Sequence, residues 1–229
     1  MKARHAAIFL AALITFPVAG SQASAAGSRA AQVPPPGTYG QAMGWYKRAA
    51  EAGDANAQFS LGIILESGLR GAPDPTAAAV WYLKAARQGH VKSQYKLGLL
   101  YYQGRGVKQD LAQAATWYEA AAGGGSAEAR YNLALMVERG QGLKRDPKRA
   151  ARLYEQAAAQ GINQARLSLS LLYNRGSGVE RDPVKALMWL ELAIKGGLTG
   201  YDSLHKKLLN SMPEDEIEQA RALVKARIN

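Results

Sequence analysis

The chain has 229 residues, of which 48% are hydrophobic and none is cysteine. This hydrophobic content is enough for one domain with an extended core, and the lack of cysteine excludes disulfide frameworks, thiolate metal sites and cysteine nucleophiles. The formal net charge is +11, from 29 basic and 18 acidic residues, and such a charge usually suggests a nucleic acid or an anionic membrane as partner.

Residues 1–25 have the pattern of a secretory signal peptide. They combine a basic start at residues 2–5, an apolar run over residues 6–16 and a small-residue cleavage site at residues 23–25. The apolar run is shorter than the roughly 20 residues that cross a bilayer, so we expect no membrane span; an uncleaved membrane-surface anchor is the alternative. Export, to the periplasm or beyond if the source is Gram-negative, argues against a nucleic acid partner. Residues 26–39 are expected to form a flexible leader.

Several columns of residues then recur at a spacing of 36. Repetition in one phase predicts a solenoid, because each repeat is one unit that buries its apolar faces only by stacking on its neighbours. Glycine, leucine and aspartate columns share the phase of two aromatic columns. The aromatic columns are Trp45, Trp81, Trp117, Leu153 and Trp189, and Tyr46, Tyr82, Tyr118, Tyr154 and Leu190.

Each repeat predicts two helices. One carries an apolar stripe that includes Ala78 and Trp81 and ends at Gly89, and the other carries Leu97 and Tyr101 at helical spacing. Aspartates that precede the first type of helix are expected N-caps, and the tryptophans are expected to fill the space between hairpins. The predicted solenoid covers residues 40–211, with full repeats near 54–89, 90–125, 126–161 and 162–197, and residues 212–229 are expected to form a capping helix.

These columns resemble the Sel1-like repeat family, a relative of the tetratricopeptide repeat. The pattern A-xxx-LG-xx-Y-xx-G-x-GV-xx-D-xxx-A-xx-WY-xx-AA-xx-G is matched from Ser93 to Gly125, with serine in place of the first alanine, and the resemblance covers about residues 40–200. It implies an all-α, right-handed α-α superhelical solenoid. It also implies a non-catalytic adaptor or scaffold that binds a protein or peptide, without a cofactor, and exported bacterial relatives are implicated in envelope regulation and host interaction.

The resemblance to tetratricopeptide superhelices also implies a concave binding groove. In those folds the helices equivalent to the L-G helices line the inner surface, and we call the inward positions that this implies the groove stripe. The groove stripe consists of Asn56, Phe59, Ile63, Glu66, Lys92, Tyr95, Leu99, Tyr102, Glu128, Tyr131, Leu135, Glu138, Gln164, Leu167, Leu171 and Asn174.

One column of the groove stripe is a ladder of large side chains: Phe59, Tyr95, Tyr131 and Leu167. Aromatic residues are frequent anchors of protein interfaces, so the ladder is a candidate binding surface. Packing within the repeat explains the same column equally well, and the sequence leaves both interpretations open.

A group of basic residues in the third and fourth repeats is a second candidate surface. If they form one face, they could bind an acidic protein, an anionic lipid or an envelope polysaccharide; if they are scattered, they serve solvation, which is the interpretation that we favour. The group consists of Arg139, Lys144, Arg145, Lys148, Arg149, Arg152, Arg175 and Arg181.

Residues suited to catalysis are few, so we expect no enzyme and no metal site. After residue 25 the histidines are His90 and His205 alone, and His90 stands in a variable column. Residues 93–96 and 203–206 fit S-x-x-K, the nucleophile motif of penicillin-recognising enzymes, but the companion motifs S-D-N and K-T-G are missing. An envelope enzyme or binder acting on β-lactam or cell-wall substrates is therefore the alternative function.

Overall fold

The computed structural model describes residues 39–69 and 71–228. Most of these residues lie in α-helices, and no strand occurs among them. The all-α prediction is confirmed. The predicted signal peptide, and the predicted leader up to residue 38, lie outside the described residues. The helices are α1 (Tyr39–Glu51), α2 (Ala55–Ser67), α3 (Pro75–Arg87), α4 (Val91–Gln103), α5 (Leu111–Gly123), α6 (Ala127–Arg139), α7 (Pro147–Ala159), α8 (Asn163–Arg175), α9 (Pro183–Lys195), α10 (Asp202–Asn210) and α11 (Glu214–Ile228).

Aspartate N-caps set where the second helix of each hairpin begins. Asp74, Asp110, Asp146 and Asp182 each accept a hydrogen bond from the backbone N–H three residues later, at 2.8–2.9 Å. Proline follows the cap of α3, α7 and α9, where its missing N–H has no helical partner to lose. These caps confirm the predicted N-termini, and each is worth about 1 kcal/mol of stability.

The two helices of one hairpin pack closely because a small residue faces a large one. A Cβ atom at Gly98 of α4 would lie 2.5 Å from the Tyr118 ring of α5, and the same holds for Gly62 of α2 and Tyr82 of α3. The rings of Tyr82, Tyr118 and Tyr154 are almost completely buried. Within the α2–α3 and α4–α5 hairpins, therefore, the tyrosine and not the neighbouring tryptophan fills the interior.

The tryptophans lie between hairpins, as predicted, but most are only partly buried. Trp117 packs against a core cluster that includes Ala78 and Tyr82 of the preceding hairpin. Trp81 packs in the same way one repeat earlier, and the Lys84 ammonium lies 3.9 Å from its ring centroid. The exposed edge of the Trp81 ring explains why the Lys84 ammonium can reach it.

Two helices close the end of the solenoid. The predicted capping helix is α11, whose Ile217, Ala220 and Val224 are buried, and it packs against α9. The Arg227 guanidinium lies 4.5 Å from the Trp189 ring centroid and covers it. The short helix α10 precedes α11, so the C-terminal end of the chain covers an apolar face that another repeat would otherwise bury.

Candidate partner-binding groove

The groove stripe lies on four equivalent helices. Its members occupy α2, α4, α6 and α8, four on each helix. Lys92, Glu128 and Gln164, which are equivalent positions in successive repeats, are exposed, and the other predicted binding residues from Phe59 to Asn174 are partly buried. The stripe thus combines exposed polar residues near the N-termini of the helices with side chains that are partly buried.

The aromatic ladder packs inward and keeps one edge accessible. The rings of Phe59, Tyr95 and Tyr131 lie with centroids 5.8, 6.0 and 5.9 Å from the buried tyrosine of the same hairpin, in tilted geometry. Each ladder ring remains partly exposed. Packing within the repeat accounts for the inner side of the ladder, and the accessible edges are free to meet another molecule.

Each buried tyrosine has polar neighbours on both sides, which together we call a tyrosine cell. A cell consists of the tyrosine, the groove-stripe residue 16 positions earlier and the residue 14 positions later, on the next groove helix. The Tyr82 cell contains Glu66 and Lys96, the Tyr118 cell contains Tyr102 and Asn132, and the Tyr154 cell contains Glu138 and Ser168.

A carboxylate occupies the Tyr82 cell. The Tyr82 hydroxyl donates to Glu66 Oε2 at 2.7 Å, Lys96 Nζ lies 2.9 Å from the same oxygen, and Arg105 lies 3.4 Å from Oε1. Burial alone would raise the pKa of Glu66, but the hydrogen bonds from Tyr82 and Lys96 and the two positive charges outweigh it and lower that pKa. The Tyr154 cell repeats the central bond, since the Tyr154 hydroxyl donates to Glu138 Oε2 at 2.7 Å.

The Tyr118 cell contains a cavity instead. The cavity has a volume of about 140 Å³ and lies between α4 and α6, so we call it the α4–α6 cavity. Three predicted binding residues, Leu99, Tyr102 and Leu135, line it. The sequence-based prediction missed its other lining residues, which are Gln103, Tyr118, Asn132 and Met136.

Half of the basic group gathers at one place. Lys144, Arg145, Lys148 and Arg149 line an open depression of about 640 Å³ beside the start of α7, which we call the basic depression. Arg145 Nε donates to the Glu138 carbonyl at 3.0 Å, and Arg149 pairs with Glu119. The other four members of the group do not line the depression.

Ser93 of the first S-x-x-K motif is buried at the start of α4. Its side chain is 0% exposed, and its hydroxyl oxygen lies 2.9 Å from His90 Nδ1, which also accepts the Ser93 backbone N–H as the N-cap of α4. Lys96, the lysine of the same motif, is held by Glu66. His90 is thus the N-cap of α4, which is a structural role.

Two further features of the described residues bear on the site. Between residues 39 and 228, apart from residue 70, no three histidine or acidic side chains are grouped so as to hold a metal ion. None of the helices in this part of the chain is both long and apolar enough to cross a bilayer.

The repeat pattern matches a known family model. The Sel1 repeat model matches residues 38–54, 55–90, 91–126, 127–162 and 164–198, which is more than half of the chain. The chain belongs to the Sel1 repeat family. Four of the five matches cover the regions in which we expect full repeats, and the match to residues 38–54 covers α1. Proteins with Sel1 repeats are generally protein-interaction modules.

Solved structures of bacterial proteins share the fold. A Sel1 repeat protein from Oxalobacter formigenes is 36% identical, with a TM-score of 0.67, over 71% of this chain and 67% of that protein. A protective antigen of uropathogenic Escherichia coli strains that displays an SLR fold is 30% identical, with a TM-score of 0.53, over 84% of this chain. The match spans 49%, about half, of that antigen's length. No curated protein matches the chain significantly.

Proposed function

We propose that this Sel1 repeat protein is an exported, non-catalytic adaptor or scaffold of the bacterial cell envelope that binds a partner protein or peptide on the groove stripe. The family supports a protein partner. The pattern of residues 1–25 supports export. A role in the envelope follows from these two features together.

The observation that carries this proposal is the α4–α6 cavity on the groove stripe. Interfaces depend on a few anchors that enter well-packed pockets, surrounded by contacts that exclude water. The cavity offers such a pocket, and the partly exposed ladder rings Tyr95 and Tyr131 lie on α4 and α6, two of the three helices that line it. A rigid scaffold of stacked hairpins keeps these features in place without a partner, which lowers the entropic cost of binding.

The ladder provides the test. The full-length chain is used to capture partners from the native envelope, and the double variant Tyr95→Ala with Tyr131→Ala is expected to lose them while its helical circular-dichroism spectrum is unchanged. The matched control is Val80→Ala with Thr116→Ala, two exposed and equivalent positions on α3 and α5. Undiminished capture by the tyrosine double variant, or equal loss with the control, would contradict binding on the groove stripe.

A second candidate function is electrostatic binding of an anionic envelope polymer. The basic depression favours it, because Lys144 and Lys148 line one open surface at the positive end of the α7 dipole. The probe is lipopolysaccharide. Binding is expected to weaken steeply with added salt and to be lost in Lys144→Glu with Lys148→Glu, but not in Lys206→Glu with Lys207→Glu on α10. A binding affinity that does not change with salt concentration would contradict this candidate function.

A further inference from the structure

The groove helices and the helices that follow them form three tyrosine cells. Only two of these cells contain a carboxylate that accepts the hydrogen bond of the buried tyrosine. In the Tyr82 and Tyr154 cells a glutamate from the groove helix accepts the hydrogen bond of the buried tyrosine, at 2.7 Å in both. The corresponding position in the Tyr118 cell is Tyr102. Because a phenol cannot replace a carboxylate as an anionic acceptor, the middle cell lacks the group that completes its neighbours.

The hydrogen-bond donors of the middle cell are nevertheless retained. Tyr118 is 1% exposed, and both Tyr118 and Asn132 line the α4–α6 cavity. Asn132 occupies the position at which Lys96 holds the carboxylate of Glu66 one repeat earlier. Burial raises the pKa of the Tyr118 hydroxyl, so this hydroxyl remains a donor. The side chains that would bind a carboxylate are therefore in place around the cavity.

The walls and size of the cavity match a glutamate side chain. Leu99, Leu135 and Met136 supply apolar surface for a methylene stem. A volume of about 140 Å³ is several times the roughly 10–15 Å³ that a cavity needs to hold one water molecule. A glutamate side chain, with its short stem and planar carboxylate, has a comparable size, and it is the side chain that fills the adjoining cells.

We infer that the α4–α6 cavity binds the glutamate side chain of a partner protein, whose carboxylate accepts hydrogen bonds from the Tyr118 hydroxyl and the Asn132 amide. This inference rests on the proposed function and specifies its anchor. The net charge, +11 for the whole sequence and +9 without residues 1–25, favours an acidic partner during encounter. Hydrogen bonds to a carboxylate, which are stronger than those to a neutral acceptor, offset part of the cost of removing it from water.

The test uses a small probe, N-acetylglutamate N-methylamide, titrated into the isotope-labelled full-length chain. The NMR signals of the Asn132 side-chain amide are expected to shift in a saturable way. The glutamine analogue and the leucine analogue are expected to bind at least about tenfold more weakly, because neither supplies an anionic acceptor. Equal shifts with all three probes, or no shift with the glutamate probe, would overturn the inference.

Three variants make the result specific to the cavity. Tyr118→Phe removes the donor and is expected to weaken binding of the probe about tenfold. Tyr102→Glu supplies the missing carboxylate from within the chain and is expected to abolish binding. Thr116→Glu adds the same carboxylate at an exposed position of α5 that does not line the cavity, and it is expected to bind as the unaltered chain does. Binding that survives Tyr102→Glu would contradict the inference, and circular dichroism shows that each variant is folded.

The probe experiment and the capture experiment can fail independently. If the glutamate probe binds but the ladder variants capture partners normally, the cavity site holds and the proposed groove function fails. If the ladder variants lose their partner but the cavity does not distinguish glutamate from glutamine, the proposed function holds and this inference fails.

Discussion

The three buried tyrosines differ in what their hydroxyl groups contact. Tyr82 and Tyr154 donate to glutamates, whereas the polar neighbours that affect the pKa of Tyr118 are Tyr95, Asn132 and Tyr102. A hydrogen bond to a charged group contributes about 1.5–3 kcal/mol, and a neutral one about 1 kcal/mol. Equivalent residues in one repeat array therefore make unequal contributions to stability.

Phenylalanine substitutions measure that inequality directly. Tyr82→Phe and Tyr154→Phe are each expected to lower the free energy of unfolding by about 1.5–3 kcal/mol, because each removes the tyrosine hydrogen bond to a partly buried carboxylate. Tyr118→Phe removes no hydrogen bond to a carboxylate, so it is expected to lower the free energy of unfolding by a smaller amount. Urea denaturation of the three variants checks this order, and three equal losses would show that the glutamates contribute nothing.

The Glu66 carboxylate makes stability depend on pH. Its pKa in the folded chain lies below the ordinary value of 4.5. A carboxyl group whose pKa is lowered by folding stabilises the fold above its unfolded pKa, and this contribution is lost as the pH falls through the folded pKa. We therefore expect Glu66→Gln to show a smaller loss of stability than the unaltered chain when the pH is lowered from about 7 to about 3. An identical pH dependence in both chains would exclude Glu66 as a contributor.

Within a hairpin, stability depends on how closely the two helices approach each other. Gly62 and Gly98 face the buried tyrosines, and the same column continues with Ala134 and Ser170, so all four of its residues are small. A side chain larger than these has no room, because even a Cβ atom at Gly98 would contact the Tyr118 ring at 2.5 Å. The glycine and the tyrosine are therefore one packing unit.

Enlarging the small residue tests that unit. Gly98→Val is expected to cost about 1–3 kcal/mol, because it overpacks a filled interior. Ala120→Val introduces the same side chain at an exposed position of α5, and only the lower helix propensity of valine, a few tenths of a kcal/mol, opposes it. Thermal unfolding of both variants gives the comparison. Equal losses would mean that the α4–α5 contact is looser than the structure indicates.

The helices were predictable because their ends depend on local residue chemistry. Asp146 followed by Pro147 identifies an N-terminus whatever the surrounding fold, and so do the other aspartate caps. The roles of Trp117 and Tyr118 were not separable in the same way, because adjacent apolar residues differ only in the direction in which the helix points them. The structure shows that Tyr118 faces Gly98, while Trp117 faces the preceding hairpin.

The candidate site was predictable in part. The groove stripe follows from the family resemblance, and three of its members line the α4–α6 cavity. The cavity itself depends on Tyr102, which stands where the repeats on either side have Glu66 and Glu138, together with Tyr118 from another helix. The tyrosine at position 102 is visible in the sequence. Its consequence is not, because the sequence does not show that residues 16 positions apart form a hydrogen bond in the folded chain.

For the whole molecule, the central claim is that stacked hairpins present one continuous surface to a protein partner. Each repeat contacts only its neighbours, so the same columns recur along the surface at a fixed spacing. The exposed residues Lys92, Glu128 and Gln164 form one such column on the groove helices. Val80, Thr116 and Arg152 form an equally exposed column on α3, α5 and α7.

Site-specific photo-crosslinking in the native envelope compares these two columns directly. A photoreactive amino acid is placed at one position at a time, in the full-length chain. We expect the three groove positions to crosslink to the same partner protein and the three positions on α3, α5 and α7 to yield no such product. Crosslinking of the partner from the second column, with none from the groove column, would contradict the claim that the groove stripe is the binding surface.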